Sequence, residues 1–214
     1  MESLIQRTEA FVREKLPIDA TGHDWHHVFR VRRNALSIAS TETVDRLVVE
    51  LAALLHDIAD HKFHGGDAAI GPRVARDWLQ ENGASSATVD HVVQIIERLS
   101  FKGAAVTQEP MSLEGQIVQD ADRLDALGAI GIARAFAYGG HKGRPLYDPA
   151  IGSEQHATFA AYQSSAGPTL NHFYEKLLLL KDRMNTTAGR RLAEERHAFL
   201  EEFLRRFYAE WGEA

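Results

Sequence analysis

The sequence predicts an all-α fold. Apolar residues recur at helical spacing through most of its 214 positions, no stretch alternates polar and apolar residues in the manner of a half-buried strand, and proline, glycine and capping residues interrupt the pattern at helix-length intervals. Hydrophobic residues make up 44% of the chain and aromatic residues 8%, enough for a core of one large domain or one domain with an appended lobe.

The elements follow in order. A first helix runs from about Ser3 to Leu16 and stops before Pro17, because proline disfavours helical backbone in the residue ahead of it. A second opens near Asp24 and carries His27, Val31, Ala35 and Ile38 on one stripe. A third, about Asp45 to Ile58, is expected to bury Leu47, Val48, Leu51, Leu54 and Leu55, and its last turn carries His56 and Asp57 before the polar stretch 60–66. Asp67 is the expected cap of a fourth helix ending at Asn82-Gly83, and Ser85 or Ser86 that of a fifth reaching Leu99. Ser112 opens a sixth, with Ile117, Val118, Ala121, Leu124 and Leu127 on its buried side; Gly128 and Gly131 mark where it continues or breaks. Residues 139–168, rich in glycine and proline, read as a long loop with one short helical turn. Two helices close the chain, about Thr169 to Met184 and Thr187 to Trp211, with Leu170, Phe173, Leu177 and Leu180, then Leu192, Phe199, Phe203 and Phe207, as their apolar faces.

Composition narrows the function. Without cysteine there is no disulfide and no thiolate metal site, which suits a reducing cytoplasm and leaves imidazole and carboxylate as the available ligands. No segment has the ~18 consecutive apolar residues of a membrane span, and the amphipathic N-terminus lacks a signal-peptide core, so a cytoplasmic protein with no membrane partner is expected. A net charge of -6 argues against duplex nucleic acid as a partner, since phosphate-backbone binding needs clustered Lys and Arg. A small anionic substrate needs only a local basic pocket and stays open.

Six of the 11 histidines fall between residues 23 and 64. Chance alone supplies roughly 0.7 His-Asp dipeptides in a chain of this composition, so a dipeptide is weak evidence by itself. His56-Asp57 gains weight from closing the apolar run Leu51-Ala52-Ala53-Leu54-Leu55, where polar groups are costly unless compensated. A divalent cation compensates directly, because neutral imidazole and ionised carboxylate are both ligands. The same reasoning applies to His27 on its apolar stripe and to Asp122 one turn after Val118. A purely structural account has His27 hydrogen-bonded in the core and Asp122 paired with Arg123 or Arg134. It has to hold for all four residues at once.

These residues resemble the HD-domain metal-dependent phosphohydrolases, whose signature is a His, a His-Asp pair and a distant Asp. The stretches His23-Asp24-Trp25-His26-His27-Val28-Phe29-Arg30-Val31, Leu54-Leu55-His56-Asp57-Ile58-Ala59-Asp60 and Gln119-Asp120-Ala121-Asp122-Arg123-Leu124-Asp125 are similar to the family's opening, second and last motifs. The similarity extends through Ser100-Phe101-Lys102-Gly103, Met184-Asn185-Thr186 and Glu195-Arg196-His197, and it looks like that of a stand-alone bacterial subgroup, some of whose members resemble nucleoside triphosphate pyrophosphohydrolases.

The resemblance implies a single HD-domain helical bundle, core about 20–130, with a C-terminal helical extension about 165–214. His27, His56, Asp57 and Asp122 are then the ligands of one divalent ion, with manganese expected and iron, nickel, cobalt, zinc or magnesium also compatible. Helix phase prefers Asp122, makes Asp125 a supporting residue behind it and turns Asp120 away. By the same resemblance Asp60 is the catalytic acid or base, and Lys62, two residues on, is its cationic neighbour toward phosphate. His23, Lys102, His141, Lys142 and Arg144 are substrate-binding candidates for which ordinary surface roles compete. His61, His64 and His91 raise a second ion, as in the dinuclear branch of the family, but the helix after the HD pair offers only His91.

The implied activity is hydrolysis of a nucleotide phosphoanhydride or phosphoester, foremost a (deoxy)nucleoside triphosphate to its monophosphate and pyrophosphate. The alternatives are a phosphodiesterase for a cyclic or dinucleotide signal, which requires two ions, and a non-catalytic helical regulatory module. The aromatic final helix fits packing on the core or the seam of a homodimer.

Overall fold

The computed structural model describes residues 2–16, 19, 22, 24–59, 69–99, 110–154 and 167–213. Among them there is no strand, and nine α-helices carry the fold: α1 Leu4–Lys15, α2 Trp25–Ala39, α3 Arg46–Leu55, α4 Ile70–Glu81, α5 Ser86–Leu99, α6 Leu113–Asp125, α7 Gly128–His141, α8 Asn171–Glu175 and α9 Thr187–Trp211. The all-α expectation holds. No helix is long and apolar enough to cross a membrane among the described residues. The chain divides into two compact units, residues 1–19, 23–101 and 107–121, and residues 20–22, 102–106 and 122–214, with the division falling inside α6.

In the first unit α3 packs against α1, α2 and α5, and α4 against α5. Val48, Val49 and every residue from Leu51 to Leu55 are buried, so the second half of α3 is apolar and covered on all sides, the mark of a central helix. Asp45 caps α3 by accepting from the N–H groups of Leu47 and Val48, and Asp24 caps α2 by accepting from those of His26 and His27. Ser85 accepts from the N–H of Thr88 at the start of α5. Arg32 ties three helices together, donating to Glu50 from Nε at 2.8 Å and to Glu9 from Nη1 at 2.8 Å.

One assignment needs correction here. Leu47, expected in the core, is exposed; it occupies the first turn of α3, before the helix enters the core. The start of α4 shows no side-chain cap from Ala69, and the expected cap Asp67 lies outside the described residues.

In the second unit α9 packs on α7. Phe136, Phe173, Phe203 and Phe207 form a continuous ring cluster that Tyr147 and Trp211 extend. The chain breaks between α6 and α7 at Gly128, whose φ of 69° suits glycine. Residues 139–141, read as the start of a loop, close α7. The helix expected over 169–184 is instead α8 followed by two 3₁₀ turns, Leu177–Leu179 and Lys181–Arg183. Leu170, Phe173, Leu177 and Leu180 are buried as expected, but Lys176 at φ -142° leaves the helical region, and spacings of three and four residues suit consecutive short turns as well as one helix. Phe199, assigned to the buried face of α9, is exposed, since it lies beside the buried row Ala193, His197, Leu200 and Leu204.

His172 of α8 gives this unit an acid-sensitive point. Burial, then the charges of Lys176 and Arg144, push its imidazole down from 6.5 to about 3. A base with a depressed folded pKa contributes stability that is fully present above the unfolded value and is lost as pH falls through the 6.5 to 3 window. Between pH 7 and pH 5 this group alone should remove about 2 kcal/mol. Urea unfolding at the two pH values should show His172→Gln losing about 2 kcal/mol less than the parent; equal losses would contradict the assignment.

Candidate metal centre

α2 and the end of α3 build the centre from within the first unit. His27 stands in the first turn of α2, its side chain 2% exposed, on the stripe that also buries Val28, Val31 and Ala35. His56 follows the last residue of α3 and keeps helical backbone, with φ -58° and ψ -34°, and Asp57 comes next in the turn. The His56 side chain is 4% exposed and that of Asp57 31% exposed, so two imidazoles form a dry floor under a carboxylate that reaches solvent.

The three groups converge. His27 Nε2 lies 3.2 Å from His56 Nε2 and 3.4 Å from Asp57 Oδ2, and His56 Nε2 lies 3.7 Å from the same oxygen. His56 Nδ1 is 2.9 Å from the carbonyl of Ala53, which can only accept, so Nδ1 donates there and Nε2 is the nitrogen left to face the centre. Metal–ligand bonds of about 2.0–2.2 Å place neighbouring ligands ~3 Å apart, the scale of these separations. Two imidazole nitrogens and one carboxylate oxygen therefore fit a divalent cation of the manganese-to-zinc series. This is the only such cluster among the described residues.

Asp122, the expected fourth ligand, is the first residue of the second unit's α6 segment and is half-buried. Asp125, one turn on, accepts at Oδ2 from Nη1 of Arg134 at 2.8 Å. Thus Arg134, one of the two arginines weighed as partners for Asp122, is bonded to Asp125. Asp120, expected to turn outward, is fully buried: residues 117–121 are all buried, so helix phase does not separate an inner from an outer face there.

His91 is engaged elsewhere, with Nε2 2.8 Å from Ser112 Oγ and 3.6 Å from Glu114 Oε2. His141 and Lys142 are exposed, the Lys142 ammonium lying 5.6 Å from the Tyr138 ring centroid, and Arg144 is half-buried. His23, Asp60, Lys62, Lys102, His61 and His64 lie outside the described residues. Sequence reasoning missed the Ala53 carbonyl that orients His56; its signal is the i-3 position on a helix, where a terminal histidine can reach back to a carbonyl.

The HD domain family model matches residues 24–127, which contain all three clustered groups and Asp122. The uncharacterized protein YpgQ of Bacillus subtilis is 43% identical over 201 residues, covering 94% of this chain and 90% of its own. Its crystal structure in complex with ADP superposes with a TM-score of 0.77 at 37% identity, over 97% of this chain and 94% of that one. An HD-superfamily hydrolase from Bacillus thuringiensis superposes with a TM-score of 0.76 at 45% identity, over 98% and 97% of the two chains. A crystal structure from Lactobacillus plantarum reaches a TM-score of 0.87 at 38% identity, over 100% and 99%. The chain belongs to the HD-domain family. Within it the protein is a metal-dependent hydrolase similar to these stand-alone bacterial proteins.

Proposed function

We propose that the protein hydrolyses the phosphoanhydride of a nucleoside triphosphate, releasing the monophosphate and pyrophosphate, with one manganese ion held by His27, His56, Asp57 and Asp122. The observation that carries this reading is the convergence of two imidazole Nε2 atoms and a carboxylate oxygen within 3.7 Å of one another. The nucleotide class is supported by YpgQ, a relative crystallised with ADP. Held by these residues, the ion would supply Lewis acidity toward a phosphoryl oxygen and toward water.

The protein's residues do the rest. His56, held by Ala53, keeps Nε2 directed at the centre without rotamer loss at each turnover. The dry imidazole floor excludes competing water from one side, while the exposed edge of Asp57 leaves a route for substrate. Asp60, three residues after the HD pair, is assigned the proton transfer that activates water or releases the leaving oxygen, with Lys62 beside it in the chain. His23, Lys102, His141, Lys142 and Arg144 are the cations and donors proposed for phosphate. The expected setting is the cytoplasm.

Metal-stripped protein reloaded with manganese should release pyrophosphate from one or more members of a ribo- and deoxyribonucleoside triphosphate panel. Asp60→Asn should lower turnover by at least ~10²-fold while binding manganese as the parent does. A panel that yields no phosphate product, or hydrolysis that survives chelation, would refute the proposal.

A further inference from the structure

The metal cluster takes His27 from α2 and His56 and Asp57 from the end of α3, so its geometry depends on how these two helices of the first unit are set against each other. The bond of His56 Nδ1 to the Ala53 carbonyl and that of the His27 N–H to the Asp24 carboxylate each stay within one helix and its cap. Neither sets the separation of the two imidazoles. Apolar burial between α2 and α3 is non-directional and tolerates small slides along a helix. A metal centre tolerates about 0.5 Å.

A directed link joins the two helices. Arg32 of α2 donates from Nε to Oε1 of Glu50 of α3 at 2.8 Å, and its Nη2 donates to the same oxygen. The third nitrogen, Nη1, donates to Oε2 of Glu9 at 2.8 Å, which anchors the guanidinium from α1. The Arg32 and Glu50 side chains are each 19% exposed, so these charge-assisted bonds are partly shielded from water. Arg32 stands five residues after His27 and Glu50 six before His56, about 7.5 Å and about 9 Å along their helices. All of these residues lie in the first unit. A slide of α2 along α3 that parts His27 Nε2 from His56 Nε2, now 3.2 Å away, must also stretch the Arg32–Glu50 bonds. A partly buried ion pair adds little stability over a well-packed apolar substitute, so the main contribution of the link is geometry.

We infer that Arg32 is a positioning residue for the metal centre: by bonding Glu50 it sets the register of α2 on α3, and with it the separation of His27 from His56 and Asp57. This rests on the reading that the cluster holds a cation.

The test compares manganese affinity of the metal-free protein, titrated calorimetrically below its melting temperature, with that melting temperature. The variants are Arg32→Met, Arg32→Lys, the triple variant Glu9→Gln/Arg32→Met/Glu50→Gln, His56→Ala, and Arg76→Met, which breaks the exposed Arg76–Asp90 pair of the same unit. The triple variant leaves no unpaired carboxylate in the cluster, so it should melt near the parent and still bind manganese about 10-fold more weakly. Arg32→Met should lose at least as much, Arg32→Lys should recover most of the affinity by bonding Glu50, and Arg76→Met should bind as the parent does. A merely structural ion pair would move the melting temperature and leave the affinity alone. Parental affinity in the triple variant while His56→Ala has lost binding, or no recovery in an Arg32→Lys protein that melts as the parent, overturns the inference alone. Parental affinity in His56→Ala overturns the metal centre and the inference with it.

Discussion

Replacing His56 by alanine is expected to abolish manganese binding at micromolar metal and to lower hydrolysis by at least ~10³-fold, because it removes a buried ligand whose orientation is fixed by its bond to the Ala53 carbonyl. The His56 side chain is 4% exposed, so no water-filled space restores a ligand at that place without rearrangement. Among the remaining ligands, His27 Nε2 and Asp57 Oδ2 stand 3.4 Å apart and would lean on each other as an ordinary ion pair whenever His27 is protonated. Fold should survive, since His56 follows α3 and does not belong to its apolar core. Calorimetric titration together with circular dichroism separates loss of metal from loss of fold. Parental affinity in a folded His56→Ala protein would contradict the site.

Leu51→Ala tests the scaffold. Leu51 is fully buried in the central helix of the first unit, and truncation of such a side chain typically costs about 3–5 kcal/mol through lost burial and a residual cavity. For a chain of this size that lowers melting by roughly 10 °C. Leu47→Ala, on the same helix but 40% exposed, should cost less than ~0.5 kcal/mol. A comparable loss in both would mean that α3 is not the central element. Below its melting temperature Leu51→Ala should keep its metal, the reverse of His56→Ala.

Much of the fold is legible because helix punctuation is local. Ser3, Asp24, Asp45 and Ser85 each cap where the sequence suggests, since a side-chain oxygen two or three residues ahead of a free N–H acts without tertiary help. The His27 and His56-Asp57 part of the centre is legible for a related reason: polar groups on strongly apolar helix faces stand out. What periodicity does not report is how far a face is covered. Leu47 and Phe199 sit at apolar phase yet reach solvent, and Asp120 sits at an expected outward phase yet is buried. Nor does it distinguish one helix from a chain of 3₁₀ turns, as Leu170 to Leu180 shows. The Arg134–Asp125 pair had no sequence signal beyond both residues being present; its geometry depends on how α6 and α7 meet at Gly128.

The most direct test of the metal centre is electron spin echo spectroscopy of the manganese-loaded protein, combined with elemental analysis. One manganese per chain, with couplings from two imidazole nitrogens that fall to one in His27→Ala at saturating metal, is the predicted result. Two ions per chain would instead favour the dinuclear phosphodiesterase, and one ion without histidine nitrogen coupling would contradict a centre built on His27 and His56.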